Sequence, residues 1–136
     1  MRARVQVLDS LLVERVGRHP RRGVVLARAN FGADARWNHV VAAHAAGLDS
    51  PVARRRGFSR RLLGVDLSAG LAAIDMPVLV LAGEVDRVLP VSESAWVAAA
   101  VPGAQLRTFP GAGHMLPLER AADVAAEIAA VAASVR

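Results

Sequence analysis

The chain has 136 residues, of which 54% are hydrophobic and none is cysteine. This length and apolar content predict one folded domain with a core and exclude a disordered chain. The lack of cysteine excludes disulfides, thiolate metal sites and a cysteine nucleophile, and it is typical of a reducing compartment, so we expect a cytoplasmic protein. No apolar run is long enough to span a membrane, and Asp9 and Glu14 interrupt any signal peptide.

The net charge of +5 is distributed unevenly along the chain. Residues 1–66 contain 13 Arg against 5 acidic residues, whereas residues 67–136 contain 4 Arg against 7 acidic residues. The Arg residues of the first half are spread through amphipathic helical patterns, few aromatic residues accompany them, and no nucleic-acid reader motif is present. We therefore expect no nucleic-acid partner.

The first half of the chain carries only helical patterns. Apolar residues recur at helical spacing, and Pro and Ser residues mark helix starts. The predicted elements are Val5–Val16, Arg21–Ala29 opened by Pro20, a helix from Asp34 or Ala35 with Trp37, Val40, Val41 and Ala45 on one face, a helix from Ser50-Pro51 to about Leu63, and a short apolar turn from Ser68 or Ala69 through Leu71.

The second half alternates strands and helices, which predicts an α/β fold with a parallel sheet. The predicted elements are a fully covered apolar strand at Val78–Leu81, a helix capped by Ser92 that ends at Ala100, a strand nearer the sheet edge at Ala104–Phe109, and a helix from Leu118 or Glu119 to Val135 with Val124, Ile128 and Val131 on its apolar stripe. Two parallel strands make a poor sheet alone, so we expect further strands beside them.

An acid and a histidine follow the two predicted strands. Asp86 lies in the turn after Gly83, and His114 follows the two glycines of Gly111-Ala-Gly113. An acid and a histidine at neighbouring strand ends are two members of a Ser-His-Asp triad. Glu84 is the alternative acid, but it lies where the strand is still leaving the sheet.

These two segments resemble those of the α/β-hydrolase fold superfamily: residues 71–90 are similar to its acid segment and residues 101–119 to its histidine segment. Residues 1–66 resemble, more weakly, its helical cap, and residues 67–136 its C-terminal core. The resemblance implies that Asp86 accepts the Nδ1–H of His114, that His114 acts as general base and then general acid, and that the substrate is a small acyl compound. It also implies further strands and an oxyanion loop, which have no match here.

The nucleophile of this family also has no match in the chain, because no Gly-x-Ser-x-Gly elbow occurs. Ser59 and Ser68 each lie in half of that motif, but neither follows a strand. Asp34 and Asp66, as alternative carboxylate nucleophiles, fail for the same reason.

The other candidate residues have simpler interpretations. His19, His39 and His44 lie in the helical half without partners at suggestive spacing, although His39 could face a pocket. Glu119 is expected to cap the final helix. Met115 could line an acyl pocket, but packing in the core is the simpler interpretation. No two ligand-type residues show zinc-site spacing, so we expect no metal or other cofactor.

Three classes of function stay open from the sequence. The chain is the Asp/His part of a serine hydrolase of the esterase or lipase type, or a catalytically incomplete, truncated product that associates with itself or with a missing N-terminal half. The third hypothesis is a helical binding module whose Arg-rich face takes acidic partners.

Overall fold

The computed structural model describes residues 17–49 and 65–134. In chain order the elements are α1 (Pro20–Arg28), α2 (Trp37–Asp49), α3 (Ser68–Leu71), β1 (Leu79–Gly83), α4 (Val91–Ala100), β2 (Gln105–Phe109), α5 (Leu116–Glu119) and α6 (Ala121–Ser134). The predicted helix at Val5–Val16, the helix beginning at Ser50-Pro51 and the candidate Ser59 lie outside these residues. Within the described ranges, no helix combines the length and apolar content needed to cross a bilayer.

The two strands pair in parallel, as their predicted β-α-β order requires. The register aligns Leu79 with Gln105 and Gly83 with Phe109, and the N–H of Glu84 extends the ladder by donating to the Phe109 carbonyl at 3.0 Å. Helix α4 connects the strands and packs against both. In the described part of the chain β1 pairs on one side only, so its other edge is open.

Helices α1 and α2 pack together through a small core. Val40 of α2 is fully buried and contacts Val24 and Phe31. Trp37 and Val41 are 55% and 41% exposed, so of the predicted apolar face of α2 only Val40 is buried. The reason is that α1 covers only the stripe of α2 that contains Val40, and the surface of α2 on either side of that stripe stays exposed.

A second core lies beneath the sheet. It contains Ala112, Leu116 and Val124, with Leu81 of β1 and Phe109 of β2 packed against them. This cluster anchors the loop that follows β2 and the helices that follow the loop. It therefore determines where that loop leaves the sheet.

In the second half of the chain, two helix boundaries differ from the sequence prediction. Helix α4 begins at Val91 with Pro90 as its N-cap, so Ser92 already lies in the first turn and is not the cap. The closing helix is interrupted at Arg120, whose backbone leaves the helical region (φ −133°, ψ 44°) while its guanidinium donates to the Pro110 carbonyl at 2.9 Å. The interruption produces two helices, α5 and α6, in place of one.

The apolar stripe predicted for the closing helix is only partly buried. Val124 is buried and Val131 is half-buried, but Ile128 is 62% exposed. The second core ends at Val124, and no described element covers the helix surface around Ile128.

Candidate active site

The side chains of Asp86 and His114 meet at the carboxyl end of the sheet. Asp86 Oδ2 lies 2.9 Å from His114 Nδ1. The Asp86 side chain is 10% exposed and the His114 side chain is 33% exposed. Asp86 is therefore largely sheltered, while the imidazole keeps an accessible side. With Nδ1–H donating to the carboxylate, Nε2 carries the free lone pair.

The Asp86 carboxylate is held in place by its own turn. Its Oδ1 atom accepts hydrogen bonds from the backbone N–H groups of Val88 at 2.8 Å and Leu89 at 2.9 Å. The backbone N–H of Asp86 donates to the Gly83 carbonyl at 3.2 Å. One carboxylate oxygen is thus occupied by the turn, which leaves Oδ2 directed at the histidine.

Glycine residues allow the turn that carries Asp86 (the acid turn) and the loop that carries His114 (the histidine loop) to approach closely. A Cβ atom at Gly83 would collide with the carbonyl oxygens of Ala112 and Gly113. Gly111 adopts φ +69°, a conformation that L side chains rarely take. The N–H of Val85 donates to the Ala112 carbonyl at 3.0 Å. These contacts place the Asp86 turn directly against the loop that carries His114.

The helical region, which consists of α1, α2 and the loop between them, also contacts the histidine loop. The backbone N–H of His114 donates to the Asn30 carbonyl at 2.8 Å. The Glu119 carboxylate accepts from the N–H of Gly32 at 2.7 Å and from the N–H of Gly113 at 3.1 Å. The expectation that Glu119 caps the final helix is therefore wrong, because Glu119 ends α5 and its carboxylate turns back onto the loop.

The alternative site residues lie elsewhere. Glu84 is exposed, and its carboxylate accepts from the N–H of Gly111 at 3.2 Å, not from the histidine. The Ser68 hydroxyl donates to Asp66 at 2.5 Å on an exposed turn. Asp34 is exposed beside a small cavity of about 50 Å³. None of these residues has a described contact with His114.

The remaining histidines do not join the pair. His19 is the N-cap of α1, where its Nδ1 accepts from the N–H groups of Arg21 and Arg22 at 3.3 Å. His39 is half-buried beside the same 50 Å³ cavity as Glu119. His44 faces a groove of about 520 Å³ between the helices and the acid turn, and its buried Nε2 has no hydrogen-bond partner among the described residues.

A cavity of about 230 Å³ opens beside the Asp86–His114 pair. Ser94 of α4, which the sequence analysis did not single out, also lines it. A serine inside a helix gives no local signal, because only the packing of α4 on the sheet brings it to this cavity. Met115 packs against the core of α1 and α2. Across residues 17–49 and 65–134, no group of three or more His, Asp or Glu side chains is arranged to hold a metal ion.

Several solved structures share this architecture. An esterase from Exiguobacterium antarcticum is 21% identical, with a TM-score of 0.73 over 88% of this chain and 46% of that one. Est816, described as an N-acyl homoserine lactone degrading enzyme, is 20% identical, with a TM-score of 0.64 over 89% of this chain and 51% of its own.

The 2-hydroxy-6-oxo-6-phenylhexa-2,4-dienoate hydrolase from Rhodococcus sp. strain RHA1 is 20% identical, with a TM-score of 0.68 over 96% of this chain and 50% of its own. The chain thus spans about half the length of these proteins. No curated protein shows a significant match to the sequence. The model of the alpha/beta hydrolase family matches residues 2–127, and with the parallel strand pair described above this establishes that the chain belongs to the α/β hydrolase family.

Proposed function

We propose that this chain supplies the acid and the histidine of a serine hydrolase that cleaves small acyl esters or lactones. The observation that carries the proposal is the 2.9 Å contact between Asp86 and His114, beside a cavity of about 230 Å³ at the carboxyl end of the sheet. Ligand sites of α/β folds lie at this end of the strands.

The proposed chemistry follows from the positions of the two side chains. Asp86 orients the imidazole and stabilises its charged form, while remaining ionised itself. His114 Nε2 removes the proton from a serine hydroxyl as the serine oxygen bonds to the substrate carbonyl carbon. The same proton is then given to the leaving alcohol, and the second half-reaction repeats the transfer with water to release the acid.

We propose that the serine and the oxyanion donors come from polypeptide outside these 136 residues. The sequence has no nucleophile elbow, and the chain spans about half the length of its structural neighbours. Among the described residues, β1 pairs along one edge only, and its other edge offers backbone groups to a further strand. A strand paired there would end beside the Asp86–His114 pair, where the elbow is needed.

In the same proposal, residues 1–66 act as a cap over a core formed by residues 67–136. Support comes from Met115 and Leu118, which follow the histidine and pack against the core of α1 and α2. The acyl class of substrate is supported by the neighbours described as an esterase and as a lactone-degrading enzyme.

The test begins with the DNA upstream of the Met1 codon. We expect one of its reading frames to encode a Gly-x-Ser-x-Gly elbow after an apolar strand, and we expect that segment, expressed with this chain, to hydrolyse p-nitrophenyl butyrate. His114→Ala should abolish the turnover, whereas the control His39→Ala should retain it. An upstream region without an elbow in any frame, or turnover that survives His114→Ala, would overturn the proposal.

A further inference from the structure

The Glu119 carboxylate joins two backbone segments that are far apart in the chain. It accepts from Gly32, which is 87 positions away, at 2.7 Å, and from Gly113, which precedes the histidine, at 3.1 Å. Both glycines are buried, and Glu119 itself is half-buried. A buried N–H group without an acceptor is costly. The carboxylate accepts from two N–H groups that would otherwise be buried without an acceptor.

The two segments also touch each other directly. The N–H of His114 donates to the Asn30 carbonyl at 2.8 Å. A Cβ atom at Gly113 would lie 2.7 Å from the Asn30 carbonyl oxygen, and one at Gly32 would collide with the Gly111 carbonyl oxygen. The backbone of the helical region therefore lies against the backbone of the histidine loop, with the carboxylate bridging them.

These contacts surround His114 on its backbone side. Asp86 orients the ring from one direction, but the position of the ring also depends on where the loop places the His114 backbone. That backbone is held by Asn30 directly and by Glu119 through the preceding residue, Gly113. A loop free to shift by a fraction of an ångström would lengthen the contact between Asp86 and His114.

We infer that Glu119 is a positioning residue, which sets the orientation of His114 by bridging the N–H groups of Gly32 and Gly113 and so couples the helical region to the histidine. The inference rests on the proposed role of His114 as the acid–base group. Glu119 Oε2 accepts from both N–H groups, and Oε1 also accepts from the N–H of Gly113. Glutamine keeps one acceptor oxygen without the charge, and alanine keeps none.

The test compares the purified chain with its Glu119→Gln and Glu119→Ala variants by ¹⁵N NMR. In Glu119→Ala we expect amide exchange at Gly32 and Gly113 to accelerate about tenfold or more, since hydrogen bonds to a charged group are lost. The His114 ring should also lose its predominant Nδ1–H form and its slowly exchanging Nδ1 proton. Glu119→Gln should give an intermediate result for both measurements.

Glu127→Gln is the matched control. Glu127 lies on α6, and its carboxylate pairs with the Arg107 guanidinium of β2 at 3.5 Å. We expect it to leave the two amides and the His114 ring unchanged. If Glu119→Gln accelerates exchange throughout the chain while the ring keeps its Nδ1–H form, the role is only structural and the inference fails. If Glu119→Ala does not fold, the Glu119→Gln ring spectrum decides.

Neither measurement requires catalysis. An unchanged ring in the Glu119 variants would overturn this inference even if the complemented enzyme is active. A missing upstream elbow would overturn the proposed function while leaving the effect of Glu119 on the ring measurable.

Discussion

Asp86 and His114 are 28 residues apart in the chain, yet their side chains meet at 2.9 Å. The parallel register explains the contact, because it pairs Gly83 with Phe109 and so brings both strands to an end at the same edge of the sheet. The acid turn begins directly after Gly83, and the histidine loop follows Phe109. Because position 83 is glycine, the backbone there lies directly against the histidine loop.

Replacing Asp86 by Asn keeps the shape of the side chain but removes its charge, so the substitution tests the role of Asp86 in orienting His114. The amide can present an N–H to His114 Nδ1, which would favour the wrong tautomer, so in the completed hydrolase we expect kcat to fall about 10⁴-fold. Loss of hydrogen bonds to a charged group should also lower the free energy of unfolding by about 1–3 kcal/mol. Steady-state kinetics and urea denaturation measure the two effects.

Asp75→Asn serves as the control for this substitution, because Asp75 is exposed and precedes β1. It should leave both quantities unchanged. A kcat for Asp86→Asn within about tenfold of the unmodified enzyme would contradict the assignment of Asp86 as the orienting acid.

The chain alone should show no esterase turnover above background. An isolated His-Asp pair provides at most general-base assistance of about 10²–10⁴-fold, without a serine held in position to attack. The Ser68 hydroxyl is bonded to Asp66, and Ser94 lies within α4. Assays with p-nitrophenyl acetate and butyrate, followed by mass spectrometry after fluorophosphonate treatment, should detect neither turnover nor a labelled serine.

The variants Ser68→Ala and Ser94→Ala control this experiment, and each should behave like the unmodified chain. Robust turnover that fluorophosphonate abolishes, with one serine labelled, would show that the chain carries its own nucleophile.

Gly83→Ala should destabilise the site by forcing the two loops apart. The added Cβ would collide with the carbonyl oxygens of Ala112 and Gly113, and overpacking of this kind costs about 1–3 kcal/mol. Gly47→Ala is the matched control, because among the described residues no atom outside the local backbone of α2 lies within 4 Å of its Cβ position, and alanine favours the helix. Thermal denaturation should show a lower Tm for Gly83→Ala and an equal or higher Tm for Gly47→Ala. Equal values for both variants would contradict the close packing.

Val40→Ala should weaken the core between α1 and α2. Val40 is fully buried, so removing two methyl groups should reduce the free energy of unfolding by about 2 kcal/mol through lost burial and the cavity left behind. Val41→Ala, one position along the helix at a 41% exposed site, should change it far less. Similar losses at both positions, measured by urea denaturation, would indicate a different buried face of α2.

Local sequence determined the elements that carry the acid and the histidine. The apolar run before Gly83, the turn containing Asp86 and the glycines before His114 act within a few residues, so they predict two strand ends with those side chains. The parallel strands and the helix between them were confirmed, with boundaries shifted by one or two residues.

Only the tertiary structure decided the role of Glu119 and the exposure of Trp37 and Ile128. The partner of Glu119 at Gly32 is 87 positions away, and no local pattern encodes a contact at that distance. The apolar stripes containing Trp37 and Ile128 have helical periodicity, but periodicity does not specify which stripe a neighbouring element covers. Burial depends on the packing of segments that are distant in sequence, and here that packing leaves both side chains exposed while it turns the Glu119 carboxylate onto the histidine loop.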